Sequence, residues 1–230
     1  MEPERQTTPP GSSSLPEVVV RTLRHEVGDL LQTVYATAAI LQERLPADWA
    51  LERRIVTDLR ARGEGCKNLL DAVHDLICPM ILNAEPVNLA ELASALVGAA
   101  AARHPQLQVR AEGGPVPAVP GDAKRLAQLG NLLLGHACQR ARNQVSFRTQ
   151  PGRGEVEWVV MDDGPEMPAD QLERLFTPFA STRHSFGTLA VALAQKIAQL
   201  HGGRVVAANR PEGGFRVQVV LPTTPPGKKA

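Results

Sequence analysis

Apolar residues recur along the first third of the chain in alternating three- and four-residue steps. Val20, Leu23, Val27, Leu30, Val34 and Leu41 keep the step, with Thr37 as one soft member. This period predicts a long amphipathic helix with a coiled-coil-like seam. The pattern runs from about Val18 to Leu45 and stops at Pro46. Pro46-Ala47-Asp48 is a tight link, with Asp48 as the predicted N-cap of a second helix that reaches Cys78, before Pro79. The second seam reads Ile55, Leu59, Arg62, Cys66, Leu69, Val73 and Leu76. Arg62 is out of place there, and Gly63 and Gly65 loosen the same turn. Two seamed helices with a short link form an antiparallel hairpin. A hairpin of this length leaves apolar surface over, so the pattern predicts a homodimer through residues 17–81, as a four-helix bundle.

The texture then changes. Residues 82–88 read as a linker containing Pro86. Asn88 caps an Ala-rich helix that ends near His104, and Leu107–Glu112 reads as a strand, followed by a loop from Gly113 to Pro120. Asp122 opens a helix to about Arg142. Val145–Thr149 and Glu155–Met161 read as strands around the turn Pro151-Gly152-Arg153-Gly154. Helices at Ala169–Phe176 and Leu189–Leu200 follow, and a last hairpin pairs Arg204–Asn209 with Phe215–Leu221 around Glu212-Gly213-Gly214. The fold class is α+β: a helical hairpin at 17–81, then an α/β sandwich at 89–222. The Pro- and Ser-rich residues 1–16 and residues 223–230 read as tails.

Composition narrows the function classes. Hydrophobic content is 43% but aromatics are only 3%, so the core must be Leu, Val, Ile and Ala. A net charge of +1 with mixed signs gives no field for nucleic acid. Three cysteines (Cys66, Cys78, Cys138) have no metal spacing, and an odd count argues against a disulfide scaffold; all three read as buried thiols. No apolar run reaches the roughly 18–20 residues of a membrane span, and no signal-peptide core precedes the helices. The expected location is cytoplasmic, with any sensor on a separate protein.

Against this background His25 stands out. With Val20 at heptad position a, His25 falls at f, opposite the seam. Glu26 is its neighbour, and Asp29 follows one turn on along the same face. A neutral imidazole facing water is a nucleophile, and an adjacent carboxylate can take or hold its other ring proton.

These features together resemble the sensor histidine kinase family: a dimerising hairpin with a phosphoacceptor His, joined to an ATP-binding domain of the type shared with gyrase and the Hsp90 chaperones. The resemblance spans about residues 17–222. It implies phosphorylation of His25, with Glu26 beside it, and a role for Asp29 in transfer to a response-regulator receiver aspartate or in orienting water. Val160-Met161-Asp162-Asp163-Gly164-Pro165-Glu166 resembles the family's first glycine box. Asp162 then matches the acceptor for the adenine amino group, and Gly164 the glycine that lets the base approach. Glu166 replaces the second glycine, and Asp-Asp-Gly-Pro is equally an ordinary strand-ending turn. Leu175 to Arg183 resembles the phenylalanine box of members with a short ATP lid. Phe176 and Phe179 would anchor that lid, with Thr182 and Arg183 at its end and the guanidinium facing the terminal phosphates.

Two boxes depart from the family. Gln128–Ala137 aligns with the asparagine box, but the Mg²⁺-holding asparagine is His136 here. Imidazole is a softer ligand than Mg²⁺ favours, and a His packed on the Leu129/Leu132/Leu133 face is an equal alternative. Asn131 sits one residue, about 100 degrees, out of phase with the family's earlier asparagine. In the second glycine box all three glycines are replaced, by Phe186, Thr188 and Ala190, while Gly187 lies one step out of phase. Those glycines otherwise let backbone N–H groups cradle phosphates. Three readings follow: a kinase using ATP and Mg²⁺ to phosphorylate His25, a phosphotransferase with an intact His25 and a kinase-like domain that no longer binds ATP, or an inert dimeric scaffold.

Overall fold

The computed structural model of the chain describes residues 14–178 and 185–224, without the side chains of residues 185–187. It divides into two compact units, residues 1–80 and 81–230.

The first unit is the predicted hairpin of α1 (Leu15–Arg44) and α2 (Ala50–Ile77). Pro16 in the first turn supplies a preset φ at the helix start. Asp48 does not cap α2; the N-cap residue is Trp49, and no side chain caps the helix. The stripe on which the helices meet also differs from the sequence seam. Buried positions are Leu31 and Ala38 on α1 and Val56, Gly63, Ala72 and Asp75 on α2. Seam residues Leu23, Leu30, Leu41, Ile55 and Leu59 stay exposed in the single chain, Leu30 at 64%. Small residues set this register. A Cβ added at Gly63 would stand 2.9 Å from the Tyr35 ring, so the missing side chain makes the space Tyr35 fills. Gly65 has nothing within 4 Å. Cys66 is exposed rather than buried, because its seam is not the one closed within the chain; Cys78 and Cys138 are buried.

The second unit stacks three helices on one sheet. The sheet has the order β2-β4-β5-β7-β6, from β2 (Gln108–Gly113), β4 (Gln144–Pro151), β5 (Glu155–Asp162), β6 (Arg204–Asn209) and β7 (Phe215–Pro222). β2 and β4 are parallel, and every other pair is antiparallel. Alternation along the strands gives the inner face Val145, Phe147, Val156, Trp158, Val160, Val217, Val219 and Leu221, all buried. Against it lie α3 (Leu89–Arg103), α4 (Ala123–Arg140) and α6 (Ser185–Leu200). Leu89, Leu126, Leu129, Leu189, Leu193 and Ile197 show 0% exposure. Phe147 meets Trp158 edge-on at 5.1 Å, and the indole N–H donates to the Leu89 carbonyl.

The stretch read as linker and loop is ordered further. β1 (Glu85–Val87) pairs antiparallel with β3 (Val119–Gly121) in a small separate sheet. Asn88 caps α3, accepting from the N–H groups of Ala90 and Glu91. Asp122 caps α4 through the Arg125 N–H at 3.0 Å, and its other oxygen accepts from the Asn83 N–H, also at 3.0 Å. Buried His201 closes the same corner: its Nε2 accepts from the Asp122 N–H, and its Nδ1 lies 2.7 Å from the Ile197 carbonyl. A short α5 (Ala169–Glu173) precedes α6. Among the described residues no helix is long and apolar enough to cross a membrane.

Candidate functional site

Each unit carries part of the candidate chemistry. On α1 the His25 side chain is 75% exposed, as its heptad position requires. Its Nδ1 lies 3.2 Å from Oδ2 of Asp29, one turn further along. A carboxylate beside Nδ1 favours the tautomer with the proton there, which leaves the Nε2 lone pair free towards solvent. Asp29, rather than the neighbouring Glu26, holds the ring. Glu26 is exposed and lines the same cavity. That cavity, about 840 Å³, is lined from α1 by Arg21, Arg24, His25 and Asp29 and from α2 by Lys67 and Asp71.

In the second unit Asp162 ends β5, buried at 2% exposure. Its Oδ1 accepts the Gly164 N–H at 2.9 Å. Burial raises the Asp162 carboxyl above its usual range, against the opposing pull of the Gly164 N–H and Arg140. Gly164 is needed because the chain passes very near the Arg140 carbonyl, where a Cβ would collide. Asp163, next door, does something else. Its carboxylate accepts from the backbone N–H groups of Arg142, Asn143 and Gln144 and ties the start of β4 to the end of β5. Burial alone would raise Asp163, but these N–H groups outweigh it and hold the carboxyl below its ordinary value.

Arg140, which the sequence reading did not single out, stands at the centre of this region. Its Nε lies 3.4 Å from Oδ2 of Asp162, an ion pair without hydrogen-bond alignment. Its guanidinium stacks over Phe215 at 4.9 Å and donates to the Pro165 carbonyl. The helical period held the clue: Arg140 lies four residues after His136, hence on one face of α4. The loop after β5 is pinned from its other side too. Asn209 accepts the Met167 N–H and donates to the Met167 carbonyl, both at 2.8 Å.

His136 is buried at 8% exposure, with its ring 6.0 Å from that of Phe215. Burial, helped by the Arg140 charge, holds its pKa down to about 4, so it is neutral near pH 7. The Arg140 charge beside this ring opposes a divalent cation there. Among the described residues no group of three His, Cys, Asp or Glu side chains could hold a metal ion. His136 is packed in the core beside Phe215, as the alternative reading has it. Asn131 points elsewhere and accepts from Arg103. Phe176 is half-buried beside buried Leu175, and Gly187 falls in the first turn of α6. Phe179, Thr182 and Arg183 lie outside the described residues.

The profile of the family described as histidine kinase-, DNA gyrase B-, and HSP90-like ATPase matches residues 121–225. The chain is 30% identical to the sensor histidine kinase ZraS of Klebsiella oxytoca over 208 residues, which are 86% of this chain and 44% of that protein. It is 33% identical to the sensor protein kinase CarS of Pseudomonas aeruginosa over 129 residues, 55% of this chain and 29% of that one. The chain thus spans less than half the length of these relatives. Full-length ShkA, solved in complex with AMPPNP, has the same fold, with a TM-score of 0.76 at 23% identity over 92% of this chain and 47% of that one.

Proposed function

The chain belongs to the sensor histidine kinase family, and on that premise we propose that it works in a two-component system as a histidine kinase. His25 receives the γ-phosphoryl group of ATP bound by the second unit and passes it to an aspartate of a response-regulator receiver. One observation carries this reading: a water-facing imidazole with Asp29 held on Nδ1. The Nε2 lone pair attacks phosphorus, and the bond from phosphorus to the bridging oxygen breaks, leaving with ADP. The Nδ1 proton of the cationic ring passes to Asp29. The exposed Leu23, Leu30, Leu41, Ile55 and Leu59 support a homodimer through residues 17–81. The test is incubation with labelled ATP and Mg²⁺. Wild type takes up label and His25→Ala does not; an unlabelled wild type counts against the kinase.

A second reading has its own support. Arg140 draws the Asp162 carboxylate into an ion pair, and the position of the family's metal-holding asparagine is a buried neutral His136. In a phosphotransferase of this shape His25 takes its phosphoryl group from one receiver and gives it to another. Calorimetric titration with ATP and Mg²⁺ separates the two. Heat of binding supports the kinase, and its absence together with label taken from a phosphorylated receiver supports the phosphotransferase.

A further inference from the structure

The cavity beside His25 has a charge arrangement that neither reading uses. Six ionised side chains line it around the imidazole. Arg24 and Asp71 face each other at 3.7 Å, and Asp29 is engaged by the His25 ring. Glu26 is the remaining acid. Arg21 and Lys67 also line the cavity, one from each helix, and neither has an ion-pair partner among the described residues. Before phosphorylation the acids and bases of this lining balance. A phosphoryl group on Nε2 adds up to two negative charges beside Glu26 and Asp29, which is unfavourable unless cations close on it. The unpaired cations are Arg21, four residues before His25 on the same face of α1, and Lys67 on α2. The space is present as well. Gly28 lines the cavity with nothing within 4 Å of where its Cβ would be, and it sits in mid-helix, where glycine costs helix stability.

We propose that this cavity is a seat for the phosphoryl group carried by His25, with Lys67 and Arg21 as positioning residues that hold its oxygens. The proposal rests on His25 being the phosphoacceptor, and it is independent of whether ATP or a receiver supplies the group. The seat favours the dianion and turns the phosphorus towards the mouth of the cavity, where an incoming carboxylate can reach it in line.

The test uses the full chain and potassium phosphoramidate, which needs neither nucleotide nor partner. Nε2 attacks its phosphorus, the P–N bond breaks, and the nitrogen leaves with that electron pair and takes up a proton, as ammonia. Phosphorus NMR then follows the step from monoanion to dianion of phosphorylated His25 as pH rises. The facing charges are Arg21, Arg24, Glu26 and Asp29 on α1 and Lys67 and Asp71 on α2. Removing a cation weakens the dianion, so Lys67→Met raises the midpoint, by about half a pH unit or roughly threefold in the acid constant. Lys67→Arg restores it, Arg21→Met with Lys67→Met raises it further, and 1 M salt shrinks the difference. A double variant that titrates like wild type overturns the seat alone. A wild type that acquires no phosphorus signal on His25, while free imidazole does, overturns the phosphoacceptor reading and the seat with it.

Discussion

The hairpin and the sandwich spend their apolar residues differently. In the sandwich, Trp158, Phe147, Leu126 and Leu193 each show 0% exposure, and the core closes within one chain. In the hairpin only Leu31, Ala38, Val56 and Ala72 of the apolar helical residues are buried, while Leu30 and Ile55 stand 64% and 58% exposed. The sandwich is complete as a single copy. The hairpin has two apolar stripes, one closed by its own partner helix and one still open. Within the first unit, small residues line the stripe on which its helices meet, and large ones stay on the open stripe.

The largest expected effect attacks the open stripe. Leu30→Glu with Ile55→Glu places four carboxylates in the proposed two-fold interface, so the dimer constant is expected to weaken by at least about a hundredfold. Sedimentation equilibrium measures it, and an unchanged dimer would mean that this stripe is not the interface. The closed core is broken from the other side. Trp158→Ala costs about 3–5 kcal/mol by lost burial and a residual cavity, read from urea unfolding, and leaves the dimer constant unchanged.

Two smaller effects sharpen the contrast. Asp163→Ala removes three backbone hydrogen bonds to a carboxylate and costs about 2 kcal/mol. Because the folded state holds this carboxyl below its ordinary value, its contribution is fully present above the unfolded carboxylate pKa, about 4. It fades as pH falls through the lowered folded value. Asp162 has the opposite sign. Its raised carboxyl costs stability at neutral pH, and that cost is relieved as pH falls through the folded value. Acid unfolding of Asp163→Ala against wild type isolates the first contribution: their difference narrows towards low pH. Smallest is a pair of glycines in α2. Gly65→Ala raises stability by about 0.5–1 kcal/mol, since its surroundings are open. Gly63→Ala gives no such gain, because Tyr35 must move. Thermal melts of the two variants decide the point.

Much of this organisation was legible in the sequence, for identifiable reasons. Two helices of period about 3.5, a proline between them and an off-seam His25 gave the hairpin and its exposed imidazole. Asn88 and Asp122 marked the starts of α3 and α4 because a cap is a local event, decided within three residues. The register inside the hairpin was not legible. It is set by Ala38, Gly63 and Ala72, which a count of large apolar residues ignores. The β1–β3 pair was hidden for another reason: three-residue strands pairing across an intervening helix and strand leave no periodicity to read. For Arg140 the helical period gives only its face of α4, shared with His136; its partners are tertiary. Nothing near it in sequence announces Asp162, Pro165 or Phe215.

One carboxylate has a mechanical consequence. Asp122 grips the backbone at Asn83 with one oxygen and the first turn of α4 with the other. The same side chain therefore ties residue 83 to the start of the helix that carries His136 and Arg140.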